Sequence, residues 1–469
     1  MRTSTAALAA SIAMLLASPS LAGSILGPPP TPPAPTAPPS LMTVQQAADF
    51  ALAHNVAVIK AQADAEAAGA NLARDRAATL PTIAGQLQSQ MDKQSNAGQY
   101  AQIGAQVSPT FSQNTAAVIG AFNGLNLVNI YQARADKQAF DQANESLRLA
   151  REQSTSDVET SYYHYVELLE ITQVSRENVE YNKALEAIAE VNFRAGKVSG
   201  VDQLKAQVAY TQALEQLSSA SADEVDAREN LAQLIGVSYM QEFYVPPIVP
   251  EPPLPDLDTK TLDQVALANR PEISIAFALL NNAYISYAAV DAPNRPNLSL
   301  NGAWGNQVSP TNNAALFNSC VGAGLPPTQC QPGPSHFYEI SIVSAWQLPL
   351  LDWGTVHAGH GSARQTIDLE LAQVASAKQQ ALIDVDQAVR RLLVNRENLG
   401  LAKTNASVAK QAADISVVQY KVGVISQTDV TVAQQSYLTA ARDLVTAQSD
   451  YVLSLVRLKL ATGTLTGAI

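Results

Sequence analysis

Proline is missing from two long stretches of the chain, Thr110 to Val245 and Leu350 to the C-terminus, so nothing there forbids uninterrupted helix. Glycine is missing too between Gln132 and Phe193, a span about 93 Å long if it forms one helix. Its partner span, Ser362 to Tyr420, holds only Gly400. Aromatic residues are scarce at 6%, and alanine, glutamine, serine and valine recur instead, side chains that suit close helix packing. No cluster of Lys and Arg runs along a chain of net charge −12, which argues against nucleic acid as a partner. Beyond the N-terminal segment no run approaches the roughly 18 apolar residues of a spanning helix, so any membrane crossing is expected to use a closed β-barrel.

Signatures of catalysis are equally absent. Neither a Gly-x-Ser-x-Gly nor a Walker pattern occurs, Gly359-His360-Gly361 is too short for a phosphate loop, and His54, His164 and His336 are scattered. His357 and His360 stand three apart, but two ligands without a third make a weak metal site. No enzyme, cofactor or metal centre is expected.

What is present begins with Arg2, an apolar core from Ala6 to Ala17 and Ser20-Leu21-Ala22, which read as a secretory signal over 1–22. A proline-rich leader follows over 23–40 and a second proline cluster over 246–256. They bracket two halves, 41–245 and 257–461, with a tail at 462–469. Ala51-Leu-Ala-His-Asn55 matches Ala266-Leu-Ala-Asn-Arg270, and Leu80-Pro81 matches Arg295-Pro296, both at an offset of 215 (266 − 51 and 296 − 81). Phe193-Arg-Ala-Gly196-Lys-Val-Ser199 matches Tyr420-Lys-Val-Gly423-Val-Ile-Ser426 at 227 (423 − 196). The extra residues fall where Cys320 and Cys330 bracket a turn-rich segment, which in an exported chain reads as a loop disulfide facing outside the cell. Each half thus reads helix, β-region, very long helix, turn, helix.

Leu371, Val374, Ala381, Val385, Ala388, Leu392 and Leu399 keep coiled-coil spacing, interrupted by Lys378 and Asn395. Between the helices, Tyr338, Ile340, Ile342 and Trp346 alternate with Glu339, Ser341 and Ala345, and Leu298, Leu300 and Trp304 alternate with Ser299, Asn301 and Gly305. Less regular counterparts lie at Thr82 to Gln90 and about Gln102 to Phe122. The alternation is that of membrane-barrel strands, with Trp304, Tyr338, Trp346 and Trp353 as an interfacial aromatic belt in outer-membrane lipid. Four strands cannot close a barrel, so several chains must share one, and a trimer leaves a lumen.

The duplicated helix, the proline before each strand pair, Leu351-Asp352-Trp353-Gly354 at a strand exit and the paired Phe/Tyr-x-x-Gly-x-x-Ser turns resemble the outer-membrane efflux protein (TolC-like) family across about residues 41 to 461. The resemblance implies a mainly α fold with membrane β: a homotrimeric twelve-stranded barrel in the outer membrane of a Gram-negative bacterium, continued by a helical barrel across the periplasm. It implies an exit duct serving a periplasmic adaptor protein and an inner-membrane pump. Helix-tip positions that meet the adaptor correspond to Gly196, Lys197 and Val198 and to Gly423, Val424 and Ile425. The pore constriction corresponds to Asp429 and Val432; Asp429 fits the family's acidic ring and Val432 departs from it, as does Ile425 where some relatives carry a gating arginine. Asn123-Gly-Leu-Asn-Leu127 departs from the strand-exit motif. Two rival readings are a type I protein-secretion duct and a periplasmic coiled-coil scaffold.

Overall fold

A computed structural model describes residues 42–93, 110–123, 126–238, 243–247, 251–308, 321–324, 326, 335–347 and 350–465. The expected signal and leader, Cys320, Cys330 and the end of the tail lie outside them. The described chain runs α1 (Val44–His54), α2 (Val56–Ala77), β1 (Thr82–Lys93), β2 (Thr110–Phe122), α3 (Leu127–Arg194), α4 (Gly200–Ile235), then α5 (Thr259–Asn269), α6 (Pro271–Ala289), β3 (Asn297–Val308), β4 (Ser335–Ala345), α7 (Thr355–Lys421) and α8 (Gln427–Ala461). The two halves repeat element for element, and β1 and β3 keep the offset of 215 at both ends (297 − 82 and 308 − 93).

The single helix expected to open each half is two. Asn55 ends α1 in extended backbone and caps α2, its side chain accepting from the Ala57 N–H at 2.8 Å and donating to the Leu234 carbonyl at 3.0 Å. In the second half Pro271 forces the break, because the residue before proline, Arg270, is pushed to extended backbone while proline itself suits a first helical position. A second correction concerns membrane-length helices. Pro271–Asn294 is apolar enough by length and composition to cross a bilayer. Here, however, α6 packs on α3 and α7, and Ala276 and Leu280 form a small core with Val374.

Helices α3 and α7 run 68 and 67 residues. They persist because an under-wound helix keeps every seventh residue on its partner. In α7, Val385, Leu392, Leu399, Ala406, Ala413 and Tyr420 are buried at intervals of seven, and in α4 Ala206, Ala213, Ala220 and Ala227 do the same. Leu371, expected in this seam, is exposed. Both interruptions have partners: the Lys378 ammonium lies 4.9 Å from the Phe277 ring, and Asn395 donates to the Asp450 carbonyl at 3.0 Å.

Each long helix pairs with the shorter helix after it, and α8 of the second hairpin packs on α3 of the first. The main core lies at mid-height, where α1 and the segment around Phe243 close over Val158, Tyr162 and Tyr165; the Tyr162 hydroxyl donates to the Met42 carbonyl at 3.1 Å. Glycines fix this docking. Gly236 and Gly463 end α4 and α8 in left-handed backbone, φ +77 and +66, and a Cβ on Gly236 meets the His54 Cβ at 2.9 Å.

Candidate functional site

The four strands form one antiparallel sheet in the order β1-β2-β3-β4, so β1 and β4 are unpaired edges among the described residues. Register sorts the side chains. Val118 lies opposite Trp304, and Trp304 opposite Tyr338; Ile83 lies opposite Gly120, and Gly302 opposite Ile340. Directly opposed residues share a face, so Ile83, Leu87, Val118, Trp304, Tyr338 and Ile340 make one apolar face, all exposed. The other carries Gln86, Gln88, Thr115, Asn301, Ser341 and Glu339. Gly305 is required there: a Cβ on it meets the Ala116 carbonyl oxygen at 2.4 Å and the Ala117 Cα at 2.7 Å.

Trp304 and Tyr338 lie about 23 Å along the strands from the helix end of β3. Trp346, just past the end of β4, donates from its indole to the Asn294 carbonyl at 3.1 Å, and Trp353 is 88% exposed in left-handed backbone, φ 51. The aromatic residues therefore form two groups, one toward each end of the apolar face. Beside Trp353, the Asp352 carboxylate accepts from the Gly354 and Val356 N–H groups at 3.1 and 3.3 Å, which holds it below the usual carboxylate range. The first half builds this junction differently, with the Asn126 side chain accepting from the Val128 N–H at 2.9 Å.

At the opposite end the two helix tips are the same turn twice. Gly196 and Gly423 are left-handed, φ +67 and +82. The Lys197 N–H donates to the Asn192 carbonyl and the Val424 N–H to the Gln419 carbonyl, both at 2.9 Å, closing helix ends that need a residue without Cβ strain. Ser199 with Asp202, and Ser426 with Asp429, then form reciprocal capping boxes for α4 and α8. Lys197, Val422 and Val424 are exposed; Val198 is half-buried, and Ile425 packs on the core of Leu185, Tyr420 and Val430. Asp429 is exposed but engaged. Its Oδ2 accepts from the Ser426 hydroxyl at 2.7 Å and N–H at 3.0 Å, and these bonds lower its pKa. Val432, 61% exposed, follows it on α8, and Ser436, Asp443 and Asp450 continue an exposed line from Asp429 at intervals of seven.

A feature unmarked in the sequence joins the two hairpins. Where α3 meets α8 the contact is polar: Thr446 donates to Glu167 at 2.8 Å, Arg442 to Ser175 at 3.0 Å, and Gln434 reaches Asn178 at 3.5 Å. Ser175, Asn178 and Gln434 are buried, and Gln427, 1% exposed, has neither amide atom hydrogen-bonded. Burial pushes the Glu167 carboxyl up, yet hydrogen bonds from His164 and Thr446 hold it below its ordinary value, while Glu167 raises His164. Thr172, Ser175 and Asn182 are buried polar residues of α3 that stand where the 227 offset places Leu399, Ala402 and Ala409 in α7, while the buried Asn178 matches Asn405. His357 and His360 are not brought together as a centre; His360 faces Asp291 at 3.2 Å, and no group of three metal-ligating side chains occurs among the described residues.

The sequence matches the family described as outer membrane efflux protein over residues 47–237 and 262–464. No individual curated protein matches it. Among solved structures, the CmeC outer membrane channel of Campylobacter jejuni is similar at 20% identity and TM-score 0.75, covering 90% of this chain and 85% of that one. The outer membrane protein VceC of Vibrio cholerae is similar at 18% identity and TM-score 0.70, covering 90% and 96%. The open state of the MtrE outer membrane channel of Neisseria gonorrhoeae gives 19% identity and TM-score 0.67, covering 90% and 88%. With both repeats matched and the same fold throughout, the chain belongs to the outer membrane efflux protein family, a family of non-enzymatic outer-membrane transport channels.

Proposed function

We propose that three copies of this chain form one duct through the outer membrane and periplasm, passively conducting what a periplasmic adaptor and an inner-membrane pump deliver. The observation that carries this is the open sheet: four strands, two edges unpaired among the described residues and an exposed apolar face. Lipid cannot satisfy the edge N–H and C=O groups, so β1 of one copy must pair with β4 of the next. Two copies give eight strands, whose interior side chains fill; three give twelve and leave a polar lumen.

In this reading the 1–22 signal is removed on export, 23–40 and 246–256 are proline-rich tethers outside the duct wall, and Cys320 and Cys330 close a loop on the cell exterior. The tips at Gly196, Lys197, Val198, Gly423, Val424 and Ile425 meet the adaptor, with the exposed Val422 and Val424 supplying apolar contact. Asp429, followed by Val432, sets the constriction as a threefold carboxylate ring that favours cations. Light scattering of the detergent-purified protein is expected to give the mass of three chains, and single-channel recording a discrete conductance. A monomer that is folded and stably inserted in lipid refutes the assembly.

A further inference from the structure

Cations far apart in the sequence converge where α2 and α3 meet below the sheet. Arg76, Arg134 and Lys137, with Thr79, Ile130 and Ala133, line an open concavity of about 330 Å³. No carboxylate lines it. Arg76 and Arg134 have no ion pair among the described residues; Arg134 lies 5.7 Å from the Tyr131 ring, and only Lys137 is paired, with Asp141 at 2.7 Å on the exposed surface. Two carboxyls stand nearby, Asp75 and Asp136; they share a hydrogen bond with each other, and Asp75 is engaged by Arg74 at 2.8 Å. In a chain of net charge −12, a concavity lined by three cations around an apolar floor, its neighbouring carboxyls engaged elsewhere, is a locally positive surface.

Height and direction identify the ligand. Thr79 stands three residues before β1, and Arg134 seven residues into α3, about 10 Å below the sheet end. Exposed Leu80, Leu350, Leu351 and Trp353 mark the sheet end, and the headgroup layer extends roughly 5–8 Å beyond the hydrocarbon, within reach of an arginine or lysine side chain. Ile130 and Lys137 share the seven-residue frame of α3 with Val158 and Tyr165, the residues covered by α1 and Phe243. Such a covered face belongs outside the duct wall, where lipid is, and not in the lumen.

We propose that this concavity binds the phosphate of an anionic phospholipid in the periplasmic leaflet, with Arg76 and Arg134 as principal ligands and Lys137 and Thr79 in support; the proposal rests on the trimeric-duct reading. The test titrates the intact oligomer in detergent with dihexanoyl-phosphatidylglycerol, dihexanoyl-phosphatidylcholine and inorganic phosphate. Phosphatidylglycerol is expected to bind best, and the R76Q/R134Q variant to bind it about 25-fold more weakly, about fivefold for each charge removed near a surface. Equal binding of phosphatidylcholine, unchanged affinity in R76Q/R134Q, or displacement of the lipid by equimolar inorganic phosphate overturns the site. If the double variant does not assemble, K137Q is read instead, with a loss of about fivefold expected and no loss refuting. Wild-type protein that conducts as a trimer without phosphatidylglycerol preference sinks the site alone, whereas failure to form conducting trimers sinks the duct reading.

Discussion

Arg442→Ala tests whether the polar seam between α3 and α8 holds the duct closed. The Arg442 guanidinium donates to the Ser175 hydroxyl at 3.0 Å across the two hairpins, half-buried, with buried Asn178 and Gln434 further along the same contact. A hydrogen bond to a charged group contributes about 1.5–3 kcal/mol, and partial exposure favours the lower figure. If three hairpins move as one, the loss reaches about 4.5 kcal/mol, roughly three decades in the ratio of open to closed duct. Single-channel recording in planar bilayers is expected to show long high-conductance openings in the variant. Arg442→Lys, which keeps a donor, should show far fewer. Ser175→Ala should open the duct as well, and adding it to Arg442→Ala should change little further, because both remove one bond. Unchanged conductance in Arg442→Ala, or fully additive effects in the double variant, refutes the seam as a latch.

Gly305→Ala puts a methyl against the backbone of β2 and is expected to cost about 1–3 kcal/mol per chain, lowering the temperature at which the oligomer dissociates; Gly85→Ala, with open space around it, should be silent. Asp429→Asn keeps a side-chain acceptor for the Ser426 cap but removes the charge, so helix stability should hold while cation preference and divalent block of the current fall; a block that persists unchanged rejects the ring. The seam should also answer to pH. Glu167 is held below its ordinary 4.5, so its contribution is present above 4.5 and is lost as pH falls, whereas His164 is raised above 6.5, so its contribution is complete below 6.5 and is lost as pH climbs through the raised value. Protection of the α3 and α8 amides, taken relative to their intrinsic exchange rates at each pH, should therefore be greatest between about pH 4.5 and 6.5, and Glu167→Gln should flatten the profile.

Much of the fold was legible because it is periodic. The seven-residue spacing of α7, the absence of glycine and proline along α3 and the alternation of β3 are one-dimensional patterns that survive folding unchanged. The break at Asn55 left no such trace, since an asparagine inside an alanine-rich helix looks like any polar residue until its amide is seen reaching Leu234. The α3–α8 seam was hidden for a related reason. Ser175, Asn178 and Gln434 read as a solvated face when only their own helix is considered, and only the crossing of two hairpins buries them. Asp429 was read as a pore acid on resemblance, and its local chemistry is that of a helix cap that Asp202 repeats at the other tip. The cap explains why an acid stands there; the ring requires three copies to meet.

The repeat also argues which parts of the chain work as a device. Elements that match in both halves, such as the two strand pairs, the glycine tips and the glycine-capped docking of α1 and α5, are what any wall segment needs. Within one chain the seam has no counterpart among the described contacts, because it joins the long helix of the first half to the short helix of the second. Its lowest member, Gln427, is buried with neither amide atom bonded among the described residues, while the matching position in the first tip is Gly200 (427 − 227), which has no side chain to bury. An unsatisfied buried amide costs about 1–3 kcal/mol, so the tip of the second hairpin in this packing carries a penalty that the first does not. A pair of hairpins with one relaxed tip and one strained tip moves unequally when the latch above is released, and the second hairpin is the one expected to swing.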